Sequence, residues 1–131
     1  MIDQPQTAVL LFAHGSRIDE ANDRVRDLAR QVGKAGGSPY VRAAFLEIAQ
    51  PGFSSAIEEA HRAGMRRILV IPYFLTMGVH LRIDLPALVS AELGRYPSLE
   101  IRVGDPLEGH PLLPSLILDR IHDVEEKHRS R

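Results

Sequence analysis

Four apolar segments alternate along the chain with longer segments in which apolar residues recur every three or four positions. The apolar segments cover residues 8–13, 41–46, 68–75 and 99–103. The third is rich in β-branched residues and the fourth is the weakest. Segments that are apolar at consecutive positions are typical of strands covered by helices on both faces of a sheet. The pattern therefore predicts four largely buried strands.

The segments between and after these strands have the spacing of amphipathic helices. Glycine commonly ends a helix, so the first is predicted to end at Gly36-Gly37, the second at Gly64 and the third at Gly94. The fourth runs into a charged tail, from about residue 125, that we expect to fray. A proline is predicted in the first turn of each of the last three helices, where its missing N–H costs nothing: Pro51, Pro86 and Pro111.

The order β-α-β-α-β-α-β-α implies parallel strands joined by right-handed crossovers. We therefore predict an α/β protein with a flavodoxin-like parallel four-stranded sheet. Its expected strand order is 2-1-3-4, with helices on both faces. The length of 131 residues favours one domain, residues 1–131.

Composition excludes several classes of function. The formal net charge is −1, which does not favour nucleic acid or an anionic membrane as a partner. The chain has no cysteine, which excludes disulfides, thiolate zinc sites and thiol redox chemistry. Residues 1–7 do not resemble a signal peptide, and the longest apolar stretch, residues 68–79, is too short to span a bilayer. We expect a cytoplasmic protein.

Three polar residues follow neighbouring strands of this predicted sheet. His14 follows strand 1, His80 lies in the predicted loop after strand 3, and Glu47 ends strand 2. Ligands of such sheets bind beyond the carboxyl ends of the strands, where the strand order reverses, here between strands 1 and 3. Neighbouring strands lie about 4.8 Å apart, so the two imidazoles can converge on one metal ion. Each residue also has a structural explanation: a histidine hydrogen-bonded at a strand end, and a glutamate that caps the second helix or faces water.

The other candidates carry weaker signals. Gly15-Ser16-Arg17 can cradle an anion through free N–H groups. The sequence contains neither a P-loop nor a dinucleotide fingerprint. The sequence disfavours a histidine phosphatase because Ala13, not arginine, precedes His14, and an α/β-hydrolase because no Gly-x-Ser-x-Gly follows. The remaining histidines are expected to face solvent or, at the start of the last helix, to cap it: His61, His122, His128 and the capping His110.

Taken in order, several motifs resemble the sirohydrochlorin chelatases of the CbiX type, in their short form. The first is the segment Leu-Phe-Ala-His-Gly-Ser-Arg that ends at Arg17. Phe-Leu-Glu at residues 45–47 follows, with a proline at position 51. Ile-Pro-Tyr-Phe-Leu at 71–75, Gly-Val-His at 78–80, Asp-Leu-Pro at 84–86 and Gly-His-Pro at 109–111 complete the set. The resemblance covers nearly the whole chain.

This resemblance implies a chelatase-like fold and insertion of Co²⁺ or Fe²⁺ into sirohydrochlorin, on the route to cobalamin or siroheme. One archaeal branch inserts Ni²⁺. The metal is then a substrate, with no permanently bound cofactor, and cobalt is favoured over iron because the short form fits that branch. Long members hold two such domains across a cleft, so a homodimer is expected. Glu108, where a small residue is expected, and the lack of a histidine-rich tail depart from the pattern.

The resemblance also assigns roles to residues. The two key histidines fall on His14, as base and metal ligand, and on His80, as metal ligand. Glu47 would act as a second base or orient a histidine. Arg17 and Arg82 can pair with substrate carboxylates, or be ordinary surface residues. The substrate-contacting positions would be Gln50, Leu75, Thr76, Met77, Gly78 and Val79. Two alternatives stay open: a metal or tetrapyrrole carrier without turnover, and an anion-binding domain that uses Gly15-Ser16.

Overall fold

The computed structural model describes residues 6–129. It contains four strands, β1 (Thr7–Ala13), β2 (Val41–Phe45), β3 (Arg67–Pro72) and β4 (Glu100–Val103). They alternate with four helices, α1 (Asp19–Gly36), α2 (Phe53–Arg62), α3 (Val79–Arg95) and α4 (Leu113–Arg129). Each predicted strand is present, although β3 ends three residues earlier than its apolar segment.

The four strands form one parallel sheet in the order β2-β1-β3-β4. The predicted fold class and strand order are therefore confirmed. In the register of the central strands, Leu11 lies opposite Ala43 of β2 and Ile71 of β3. The strand order thus reverses between β1 and β3, and the segments that follow these two strands share one edge of the sheet.

Helices cover both faces of the sheet. On one face, Val9 and Leu11 of β1 pack in a cluster with Ala29 of α1. On the other face, Leu10 and Phe12 pack in a cluster with residues of α2 and α3. Because β1 is covered on both faces, all seven of its residues are buried. This accounts for its unbroken apolar pattern.

The helix ends agree with the sequence at α1 and differ at the prolines. Gly37 caps α1 with a left-handed φ of 67°, as the glycine pair predicts. Pro51 and Pro111 precede α2 and α4 instead of lying in their first turns. Pro86 lies inside α3. That helix begins earlier than predicted, after an extended Gly78, because the ring of Pro86 removes only one N–H and its position faces solvent.

The helix α4 buries none of its residues against the rest of the described chain. The helix continues to Arg129, into the charged segment that is predicted to fray, and residues 130 and 131 of that segment lie outside the described residues. Large apolar side chains are exposed on it and just before it: Leu112, Leu116, Ile117, Leu118, Ile121 and Val124. No helix within residues 6–129 combines the length and apolar character needed to cross a membrane.

Candidate active site at the carboxyl edge of the sheet

His14 and Glu47 meet at the carboxyl edge of the sheet. The Nε2 atom of His14 lies 3.0 Å from Oε1 of Glu47, and the two side chains are 59% and 58% exposed. The backbone explains the meeting, because the parallel pairing of β1 and β2 continues past the strands. The Leu46 N–H donates to the Ala13 carbonyl at 2.8 Å, and the Glu47 N–H donates to the His14 carbonyl at 3.1 Å.

Gly15 allows these two segments to approach closely. It has a φ of +97°, and a Cβ at this position would lie 1.9 Å from the carbonyl oxygen of Glu47. A side chain would therefore separate the loop after β1 from the loop after β2. The His-Gly motif at residues 14–15 thus serves the geometry of the His14–Glu47 pair.

Asn22 of α1 supports the loop after β1 through two hydrogen bonds. It is buried on α1; its Oδ1 accepts from the Ser16 N–H at 2.9 Å, and its Nδ2 donates to the Ser16 carbonyl at 2.7 Å. We did not single out Asn22 from the sequence. The available signal is a polar residue in line with Val25 and Ala29, on the apolar side of the helix.

The loop after β2 contains a strained residue beside the pair. Ile48 has a φ of +71°, a conformation that is unusual for a β-branched residue, and its side chain is 57% exposed. The Ala49 N–H donates to the Glu47 carbonyl at 2.7 Å, which closes a tight turn around Ile48. Backbone strain of this kind is concentrated at functional sites.

The segment after β3 presents an apolar surface at the same edge. Leu75, Val79 and Ile83 are exposed to 65%, 73% and 65%, and Val79 and Ile83 lie one turn apart on α3. Thr76 and Gly78 are also exposed, whereas Met77 is half-buried and packs against the core. The sequence prediction of a contact surface here did not include Ile83, although its spacing from Val79 is the signal for one helix face.

His80 is exposed on the first turn of α3, so the prediction that it lies in a loop is wrong. The earlier start of α3 is the reason. Within residues 6–129, no group of three or more histidine, aspartate or glutamate side chains is arranged to hold a metal ion. The structure thus brings His14 and Glu47 together, but His80 does not complete a preformed metal site with them.

The polar candidates on the β2 side line an open cavity of about 400 Å³. Arg17 and Gln50 are both exposed at its wall. The carbonyl oxygen of Gln50 accepts from Arg26 Nη2 at 2.7 Å, and its Oε1 accepts from the Gly52 N–H at 3.3 Å. Gln50 therefore already supports the start of α2, whereas the guanidinium of Arg17 makes no hydrogen bond or ion pair within residues 6–129.

The remaining histidines have structural explanations. His110 Nδ1 accepts from the Leu112 N–H at 3.1 Å just before α4, which agrees with its predicted capping role. His61 is exposed and stacks on Tyr96, with ring centroids 4.4 Å apart. His122 and His128 are exposed on α4. None of these four side chains contacts the His14–Glu47 pair, and His61, which stacks on Tyr96, offers a control position for experiments on that pair.

A family model described as CbiX matches residues 8–124, which is most of the chain. The chain belongs to the CbiX family. Among curated CbiX relatives, it is 28% identical to the sirohydrochlorin cobaltochelatase of Methanopyrus kandleri, covering 89% of this chain and 96% of that protein. It is 29% identical to the chloroplastic sirohydrochlorin ferrochelatase of Arabidopsis thaliana, covering 86% of this chain and 50% of that protein.

A solved structure supports the same membership. The sirohydrochlorin chelatase SirB of Bacillus subtilis subspecies spizizenii, in complex with cobalt, superposes with a TM-score of 0.82 at 25% identity. The match covers 90% of this chain and 50% of SirB. The chain thus spans about half the length of SirB and of the A. thaliana relative, but nearly the whole length of the M. kandleri protein.

Proposed function

We propose that this CbiX-family chain inserts a divalent metal ion into sirohydrochlorin. The observation that carries the proposal is the His14–Glu47 pair, joined at 3.0 Å at the sheet edge where such folds bind ligands. Relatives named as sirohydrochlorin chelatases, with either cobalt or iron, support the same reaction class.

The proposed chemistry matches these side chains. Insertion requires that the metal ion loses water and that two pyrrole N–H protons leave as the ion bonds to the four ring nitrogens. A neutral imidazole accepts protons near neutral pH and binds divalent metals. We assign His14 as a ligand of the incoming ion and, once the ion has passed to the ring, as the acceptor of one of the two protons, while the other passes to water. Glu47, at hydrogen-bond distance, fixes the orientation of the ring and stabilises the imidazolium that forms.

The other candidates surround this pair. His80 is proposed as a second ligand of the substrate metal as it is delivered, although it is not part of a preformed site. The exposed apolar side chains of Leu75 and Val79 are proposed to lie against the face of the macrocycle, which removes their apolar surface from water. Arg17, exposed on the β2 side, is proposed to pair with a substrate carboxylate.

Cobalt is the proposed metal, with iron next and nickel third. The chain matches nearly the full length of the named cobaltochelatase but only half of the named A. thaliana ferrochelatase, which supports this order. Sites built from nitrogen and oxygen ligands follow a common affinity series, so the donors alone do not choose the metal. The pathway, cobalamin or siroheme, follows from the metal inserted, and we expect the reaction to take place in the cytoplasm.

A homodimer is proposed as the working form. The apolar stripe of α4, which includes Leu113, Ile117, Ile121 and Val124, contacts no core of its own chain. A lone helix of this length is marginally stable in water, so this stripe needs a covering surface. A second copy supplies one, and two copies also match the doubled length of SirB.

Light scattering tests this assembly. We expect the wild-type protein to have twice the 14.6 kDa mass of the chain, and Ile117→Glu to dissociate it. Ser115→Glu, an exposed position on the polar side of α4, is the matched control and should remain dimeric. A wild-type monomer at assay concentration would contradict the proposed assembly.

Turnover tests the proposed reaction against a carrier, the main alternative. Protein at one-tenth of the sirohydrochlorin concentration is mixed anaerobically with Co²⁺, Fe²⁺ or Ni²⁺, and the absorbance of the metallated product is followed. We expect conversion of several equivalents, fastest with cobalt and faster than in the protein-free control. A carrier would stop after one equivalent per site, and either that result or no acceleration would reject the enzyme.

A further inference from the structure

One guanidinium joins two loops at the edge of the candidate site. Arg82 lies near the start of α3, and its Nε donates to the Met77 carbonyl at 3.1 Å. Its Nη2 lies 3.4 Å from Oε1 of Glu108, in the loop after β4. Arg82 thus contacts the loop that precedes its own helix and a loop that follows a different strand.

The backbones of these loops are also paired. The Leu107 N–H donates to the Phe74 carbonyl, and the Glu108 N–H donates to the Leu75 carbonyl, each at 2.8 Å. Glu108 is therefore tied to residues 74–77 both through its own amide and through the side chain of Arg82. The sequence departs from the family resemblance at this same glutamate.

We propose that Arg82 and Glu108 form a positioning pair that fixes the segment of residues 75–78 for tetrapyrrole binding. The proposal rests on the proposed function, and it names this pair as a determinant of the affinity for sirohydrochlorin. Met77 anchors this segment in the core from one side, and Arg82 holds its carbonyl from the other. The exposed Leu75, whose carbonyl accepts from the Glu108 N–H, is then presented in one orientation.

The competing role for Arg82 is direct pairing with a substrate carboxylate. Two of its nitrogens already have partners in the protein, which favours the positioning role. The two roles predict opposite effects when Glu108 is removed. A carboxylate-binding Arg82 would be freed by Glu108→Ala, and the KM for sirohydrochlorin would fall. If Arg82 and Glu108 instead form a positioning pair, Glu108→Ala would break this pair, and the KM for sirohydrochlorin would rise.

We expect Arg82→Ala and Glu108→Ala each to raise the KM for sirohydrochlorin about fivefold, with kcat within about twofold of wild type, as befits loss of exposed hydrogen bonds and not of a reacting group. The double variant should cost no more than Arg82→Ala alone, because Arg82→Ala already removes the contact with Glu108. Arg62→Ala, which breaks an exposed Arg62–Glu58 ion pair on α2, is the matched control and should change neither constant.

Amide hydrogen exchange provides a readout that does not depend on chelatase activity. We expect the Glu108 amide to exchange about fivefold faster in Arg82→Ala than in the wild type, because local opening of the two loops becomes more frequent. Arg62→Ala should leave this amide unchanged. If the wild-type protein lacks insertion activity, the proposed function is wrong. The exchange data still show whether Arg82 and Glu108 hold the two loops together.

Two results would contradict the proposed positioning role of Arg82 and Glu108. One is a lower KM in Glu108→Ala, which would assign Arg82 to the substrate carboxylate. The other is unchanged exchange at Glu108 in Arg82→Ala, which would show that the backbone bonds alone hold the two loops together.

Discussion

Gly15→Ala tests whether the close approach of the loops after β1 and β2 creates the active geometry. The new Cβ would lie 1.9 Å from the Glu47 carbonyl oxygen, against the 3.0 Å that real Cβ contacts respect. One loop must therefore move by about 1.1 Å, which separates Glu47 from His14. A misplacement of about 1 Å can cost on the order of 100-fold in rate, so we expect a loss of that size in metal insertion.

The free energy of unfolding distinguishes the effect of this displacement from the energetic cost of placing alanine at a positive φ angle. An alanine at positive φ costs about 1 kcal/mol, and forcing extra volume into a packed contact costs about 1–3 kcal/mol more. Gly64→Ala is the matched control, because Gly64 has a φ of +87° and no atom within 4 Å of the added Cβ. We expect the free energy of unfolding to fall by about 3 kcal/mol in Gly15→Ala and about 1 kcal/mol in Gly64→Ala.

Urea unfolding gives the free energy of unfolding of each variant, and anaerobic insertion kinetics on the same samples give its rate of metal insertion. We expect Gly64→Ala to keep wild-type insertion kinetics despite its loss of stability. Equal losses of stability in the two variants, or a wild-type insertion rate in Gly15→Ala, would refute the claim that contact between these loops sets the position of Glu47.

Three further predictions concern residues near the site and one distant tyrosine. Asn22→Ala should lower the free energy of unfolding by about 2 kcal/mol in urea titrations, because it leaves the Ser16 backbone groups without their buried partner; a change below about 0.5 kcal/mol would contradict this. Ile48→Gly should raise or preserve stability, because it removes the strain of a φ of +71°; a clear loss of stability would show that the side chain packs in the native protein. Burial raises the pKa of Tyr40 above the usual 10.0, and Glu59 adds to the rise while Arg42 opposes it. The folded state therefore holds this proton more tightly than the unfolded state, stability falls as the pH rises above 10.0, and Tyr40→Phe should show a smaller fall between pH 9 and 11 in the same titrations.

The sheet order and the His14–Glu47 meeting could be predicted because both depend on simple patterns. An unbroken apolar segment such as β1 identifies a strand covered on both faces. Parallel strands end at one edge, so residues that directly follow neighbouring strands meet there. Nothing beyond the strand ends and their order is needed for that inference.

The position of His80 could not be predicted in the same way. In residues 79–85 apolar and polar residues alternate one by one, which is not the overall spacing of an amphipathic helix. Pro86 was therefore interpreted as a helix start, although a proline on an exposed helix face removes only one hydrogen bond. The helix begins before His80, and the histidine belongs to its first turn.

The surface that covers α4 could not be predicted from the sequence, for a different reason. An amphipathic pattern predicts that a helix buries one side, but it does not state which surface covers that side. Within residues 6–129, α4 has no buried residues, and apolar side chains such as Ile117 and Ile121 are exposed. The pattern predicts the helix correctly, and a second copy of the chain is the cover that we propose for it.

The rate of metal insertion by His14→Ala shows whether this histidine carries the proposed reaction. Sirohydrochlorin and Co²⁺ are mixed anaerobically with equal amounts of wild type, His14→Ala or the control His61→Ala, whose imidazole stacks on Tyr96 away from the Glu47 pair. The proposed chemistry predicts that His14→Ala falls to the protein-free rate while His61→Ala matches the wild type. Insertion by His14→Ala at the wild-type rate would contradict the assignment of this site.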